Sequence, residues 1–114
     1  MHGRVERFVE PALLLLLRER PRHGYELLEE VPRLAAEERR VDLGNLYRVL
    51  RALEAEGIVT SRWEAGVPGP AKRVYELTDA GRALLDEWAA ALGRTQASLS
   101  VFLDRYERGE EVST

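Results

Sequence analysis

Hydrophobic positions fall into blocks of different period along this chain. Leucine runs unbroken from Leu13 to Leu17. Pro11 suits the first turn of a helix, 12–18 supplies its apolar centre, and Pro21 ends it. His23-Gly24-Tyr25-Glu26-Leu27-Leu28 opens a second helix, with Tyr25, Leu28 and Val31 facing inward and Pro32 shortening or kinking it. A polar connector over 35–40 follows. Leu43, Leu46, Leu50 and Leu53 then recur three and four apart, which makes one face of a third helix over 43–56. Asp42 can cap its start, and Gly57 stands where a helix ends in a left-handed residue. The period next changes to two. Ile58 to Trp63 reads as a strand, Gly66, Pro68, Gly69 and Pro70 as a turn whose tip carries Lys72-Arg73, and Val74 to Leu77 as a second strand. Thr78 reads as the N-cap of a last helix from about Ala80 to Arg108.

Helix, helix, helix, strand, strand, helix is the outline of an α+β, mainly helical chain: a winged helix-turn-helix with a two-stranded wing and a long C-terminal helix. The expected division is 1–78 for the winged domain and 79–114 for the helix and a short tail. A winged helix puts its third helix in the DNA major groove and lays the hairpin along the backbone or the minor groove. The outward face of 43–56 presents Asn45, Arg48, Arg51 and Ala52, with Gly44 near its start. Asn pairs bidentately with adenine and Arg with guanine, and a helix N-terminus suits a phosphate. Two arginines on an ordinary solvated helix face are the plainer reading. The hairpin with Lys72 and Arg73 tips the choice toward double-stranded DNA.

The last helix bears on assembly. Leu85, Trp88, Leu92, Thr95, Leu99, Phe102 and Tyr106 alternate by three and four, as the a and d positions of a coiled-coil seam do. Such a helix is about 43 Å long and overhangs a domain this small. Pairing with a second copy covers the stripe, so a homodimer is expected; a stripe packed on its own chain is the alternative.

The formal charge of −3 argues against nucleic acid only until it is divided. Residues 79–114 hold four arginines against seven acids, and residues 1–78 are neutral. Glu26, Glu29, Glu30, Glu37 and Glu38 gather the negative charge in one stretch. Arg39, Arg40, Arg48, Arg51, Arg62, Lys72 and Arg73 lie in or beside the expected DNA-facing parts. There are no cysteines, hence no disulfide and no thiol nucleophile. His2 and His23, the only histidines, have no partner cluster for a metal, and no P-loop, dinucleotide fingerprint or nucleophile-base set appears. No enzyme and no cofactor is expected. The five-leucine run is far short of the roughly 20 residues that span a bilayer, and its flanks do not resemble a secretory signal. A cytoplasmic chain without a membrane partner is the expectation. A winged helix that binds protein and never DNA remains the alternative.

HGYEL at 23–27, GNLYRVLRALEAEGIV at 44–59 and KRVYELTDAGRALL at 72–85 resemble the PadR family of bacterial transcriptional regulators, with the right order and spacing from about Phe8 to Leu85. The single helix after the wing is similar to the short PadR subfamily. The resemblance implies a homodimeric repressor on pseudo-palindromic operators. It matches Tyr47 to the family's recognition-helix tyrosine, and Lys72 and Arg73 to its basic wing positions. In drug-sensing relatives a flat aromatic ligand is sandwiched by tryptophans at the dimer centre. Trp88 matches that role here, with Phe8 and Leu13 lining the same space. The chain departs from the pattern at Asn45, where members usually carry Ser or Thr, and at Arg48, where Pro is frequent.

Overall fold

The computed structural model describes residues 4–34, 43–66 and 68–112. Asp42, Arg39, Arg40, His2 and the 35–40 connector lie outside the described residues. In chain order the elements are α1 (Arg4–Glu19), β1 (Arg22–His23), α2 (Gly24–Leu34), α3 (Leu43–Ala55), β2 (Val59–Glu64), β3 (Lys72–Leu77) and α4 (Asp79–Val112).

The leucine run is the middle of the fold. Leu13, Leu14, Leu16 and Leu17 are all buried, because α1 packs on α2, α4 and β3 at once. A helix covered on several sides is apolar nearly all round. Leu27 and Val31 of α2, Leu46, Leu50 and Leu53 of α3, and Val59, Tyr75 and Leu77 of the sheet complete the core. Pro11 is well inside α1, not in its first turn. The helix starts earlier because its apolar face extends back to the buried Val9, and that packing outweighs the hydrogen bond proline removes. Arg22 closes the other end. It is buried, and its Nε donates to the Leu16 carbonyl at 3.0 Å while Nη2 meets Glu19 at 2.7 Å, so it adds a second donor to a last-turn carbonyl that otherwise has only the 3.4 Å bond from the Arg20 N–H.

The second helix begins one residue later than expected. His23 belongs to β1, which pairs antiparallel with β3 (His23 opposite Val74), so the wing hairpin is part of a three-stranded sheet ordered β1-β3-β2. Glu26 reaches back to accept the His23 backbone N–H at 3.0 Å, the acidic half of a capping box. Tyr25 is 67% exposed and does not face inward; Leu27 and Val31 do.

Gly57 ends α3 at φ 79°. Its N–H bonds the Glu54 carbonyl and that of Ile58 bonds Leu53, the paired bonds of a Schellman motif. Thr78 caps α4, its Oγ1 accepting the Gly81 N–H at 3.0 Å. The same hydroxyl lies within hydrogen-bond reach of the Gly57 and Ile58 carbonyls, which ties the start of α4 to the end of α3. Gly81 allows the approach. A Cβ there would stand 2.3 Å from the Ile58 carbonyl oxygen and 2.5 Å from Leu77 Cδ1.

Leu85 is buried in its own chain's core, so the exposed stripe of α4 begins beyond it. Leu92, Leu99, Phe102 and Tyr106 are exposed, the last two rings stacked at 6.5 Å, and the molecule is 67 Å long against 25–27 Å across.

Candidate nucleic-acid interface

Burial of Leu46, Leu50 and Leu53 fixes which way α3 faces. At about 100° per residue, Arg48 stands opposite the core, at the crest of the exposed face. Gly44, Tyr47 and Arg51 turn toward the hairpin, and Asn45 and Ala52 turn away from it. The Arg48 guanidinium donates to the Asn45 carbonyl oxygen, so the two candidate base readers are joined before any base arrives.

On the hairpin, Trp63 is opposite Arg73 and Glu64 opposite Lys72. Lys72 and Arg73 are the first two residues of β3 and not part of the turn. Between α3, the start of α2 and the hairpin lies a groove of about 520 Å³, lined by Tyr25, Tyr47, Arg51, Trp63, Lys72 and Arg73 among others. Arg51 and Lys72 have no ion pair among the described residues. Arg73 does: its Nε donates to Ser61 Oγ at 3.0 Å and Nη2 lies 3.9 Å from Glu54. Tyr75 is at the groove floor, and burial pushes its phenol above the ordinary value, so it stays a donor. Glu26 is at the rim. The His23 backbone N–H, and then Arg20, hold its carboxyl below the ordinary value.

Gly24 brings Tyr47 into place. A Cβ on Gly24 would stand 2.6 Å from the Tyr47 hydroxyl oxygen, so the bare backbone at the start of α2 is the seat for that ring. A glycine inside a helical pattern is the sequence signal of such a close approach. Tyr25 and Trp63, both exposed in the groove, were absent from the sequence-based site, because an exposed aromatic has no periodicity to betray it.

Asn45 and Arg48 line a separate depression of about 360 Å³ with Glu10, Ala52 and Glu56. The sequence-predicted site therefore divides in two, with Tyr47, Arg51, Lys72 and Arg73 on the hairpin side. Of the candidate ligand residues, Phe8 and Trp88 meet across a cavity of about 230 Å³ that Pro11, Leu15, Ala89 and Leu92 help to line. Leu13 is not there; it is fully buried on the core side of α1. The Trp88 indole N–H donates to Glu10 at 2.8 Å. Among the described residues no cluster of three His, Cys, Asp or Glu side chains is placed to hold a metal, and no helix is long and apolar enough to cross a membrane.

Residues 13–87 match the transcriptional regulator PadR-like family. The chain belongs to the PadR family. This is a family of transcription regulators, not of enzymes. It is 44% identical over 70 residues to the transcriptional regulator Rv3488 of Mycobacterium tuberculosis, a match covering 61% of this chain and 62% of that protein. Among solved structures, TM0937, described as a conserved protein of unknown function and potential transcriptional factor, superposes with a TM-score of 0.78 at 31% identity, over 95% of both chains. Bacillus subtilis PadR, solved with operator DNA, superposes with a TM-score of 0.64 at 28% identity, over 73% of this chain and 47% of its own. The winged helix and long C-terminal helix of this PadR chain are thus the family's fold.

Proposed function

We propose that this PadR-family chain is a sequence-specific DNA-binding repressor that acts as a homodimer on pseudo-palindromic operators and is relieved by a small apolar aromatic ligand. One observation carries the DNA reading: recognition helix and hairpin converge on a single groove in which Arg51 and Lys72 have no ion pair among the described residues. Free cations that flank a helix of groove-filling width are what a phosphate backbone requires. That Bacillus subtilis PadR, which has this fold, was solved with operator DNA supports DNA as the partner. Arg48, at the crest, reads bases, with Asn45 beside it. Gly44, near the N-terminus of α3, lets a phosphate approach. Tyr47, Arg51 and Lys72 hold the backbone.

Residues 1–78 supply this surface, and 79–114 pair two copies through Trp88, Leu92, Thr95, Leu99, Phe102 and Tyr106, beyond Leu85, which belongs to its own chain's core. The cavity at Phe8 and Trp88 opens beside that seam, which supports a flat apolar ligand there. Such a ligand acts by changing the separation of the two recognition helices, which must match half-sites about 34 Å apart. The test is selection from a random duplex library followed by titration against salt. Enrichment of a palindromic sequence, bound with a steep salt dependence, is expected. A chain that retains no duplex at low salt, and is not retained on heparin, is instead a winged-helix protein-interaction module.

A further inference from the structure

Trp63, like Tyr25, is a large exposed side chain in the groove with no role in the reading so far. It is 64% exposed. It shares a hairpin face with Val59, which is buried, and Ser61, which is half-buried, so it stands where the core gives way to the groove. Its ring is nonetheless held. The Arg73 guanidinium lies over it, 5.3 Å from the ring centre. Arg73 is bound to Ser61 and Glu54, and the Ser61 hydroxyl donates to Glu54 at 2.8 Å. Glu54 belongs to α3. A continuous line of contacts therefore fixes the indole relative to the recognition helix.

We infer that Trp63 is a DNA-contacting residue of the wing, and that Arg73 is a positioning residue that holds it and is not itself a phosphate contact. The inference rests on the DNA-binding reading of the same groove. Arg51 and Lys72 line the groove beside Trp63 and have no ion pair among the described residues, which leaves them to meet phosphates. Arg73 is already committed: its Nε donates to Ser61, Nη2 stands 3.9 Å from Glu54, and its guanidinium covers the indole. Two acids line the groove, Glu26 and Glu29, both on α2, and Glu26 is engaged by Arg20 and His23. The guanidinium covers one face of the indole. A ring capped in that way cannot slide between two base pairs, which takes both faces. It offers its free face and edge to a deoxyribose and the adjoining phosphate. Sugar and phosphate contacts position a protein without reading sequence, so Trp63 adds affinity on every duplex alike.

The experiment measures the affinity of the wild type, Trp63→Ala, Arg73→Gln and the double variant for a duplex enriched by the wild type and for an unrelated duplex, across a salt series. Trp63→Ala is expected to weaken both by about tenfold, one good contact's worth, with the salt slope unchanged. Arg73→Gln should give the same loss without changing the slope, and the double variant should be no weaker than Trp63→Ala by more than about twofold. In a Trp88→Phe background, which isolates Trp63, the emission should change in step with DNA saturation. Tight DNA binding with Trp63 emission unmoved and Trp63→Ala within about twofold of the wild type overturns the inference and leaves the regulator reading intact. A slope lowered by about 1 in Arg73→Gln makes Arg73 a phosphate contact and overturns the positioning role. If the wild type binds no duplex even at low salt, as for a surface that docks a protein, the regulator reading falls and Trp63's role with it.

Discussion

Replacing Gly81 with alanine puts a methyl carbon where two atoms already stand. The new Cβ would lie 2.3 Å from the Ile58 carbonyl oxygen and 2.5 Å from Leu77 Cδ1. The carbonyl cannot turn away, because it accepts the Thr78 backbone N–H at 3.1 Å and is within 2.9 Å of the Thr78 hydroxyl. The strain must therefore go into a shift of α4 from the hairpin, an overpacking cost of about 1–3 kcal/mol. Alanine is the better helix former by roughly 0.5–1 kcal/mol, which offsets part of it. The net expectation is a loss of about 1–2 kcal/mol, or a fall in Tm of about 4 °C or more. Gly93, on the same helix, is the control. Nothing lies within 4 Å of its Cβ position, so Gly93→Ala should gain the propensity term alone and raise Tm by about 2–4 °C. The two variants are compared with the wild type by urea and thermal unfolding at one fixed protein concentration, since a dimer's stability depends on it. If Gly81→Ala is as stable as Gly93→Ala, the close seating of α4 on the hairpin is wrong, and with it the geometry that sets the wing against α4.

Two further outcomes follow from the distal half of α4 and from the small cavity. Leu92→Glu together with Leu99→Glu should give monomers in light scattering, because no described residue of its own chain covers the exposed stripe; a dimer that survives both changes refutes the pairing. In a Trp63→Phe background, planar apolar dyes or drugs should quench Trp88, with stacking worth roughly 0.5–1.5 kcal/mol beyond area burial. Emission unmoved by a broad panel refutes a ligand site there.

Periodicity carried the helices, the hairpin and the terminators Pro21 and Gly57, since each rests on local rules that tertiary packing reinforces. Three features needed the folded chain. Pro11 reads as a helix start by local preference, yet the buried Val9 extends α1 through it. His23 reads as helical, but two residues are enough to pair with β3, and no two-residue strand has a period to detect. Tyr25 sits in an apolar pattern but faces the groove. The candidate site was legible as residue types, not as a grouping. Tyr47, Arg51, Lys72 and Arg73 are brought together by the turn of α3 and the register of the hairpin, and Arg48 and Asn45 are directed to another depression. That Arg73 is bound to Ser61 and Glu54, while Lys72 has no ion pair among the described residues, depends on contacts between α3 and the hairpin that no local pattern shows. The seats that Gly24 and Gly81 provide were present in the sequence as glycines inside helical patterns.

The central claim is that the exposed face of α3 and the hairpin beside it bind DNA. It is tested most directly by titrating Lys72→Ala and Arg48→Ala against the wild type on the enriched duplex and on single-base variants of it, over a range of salt. Lys72→Ala should weaken binding about equally on all sequences and lower the salt slope by about 1. Arg48→Ala should change the order of preference among variants at a cost of about 1–3 kcal/mol on the best one. Affinity, salt slope and preference all unchanged in both variants would contradict the account and put the recognition surface elsewhere on the chain.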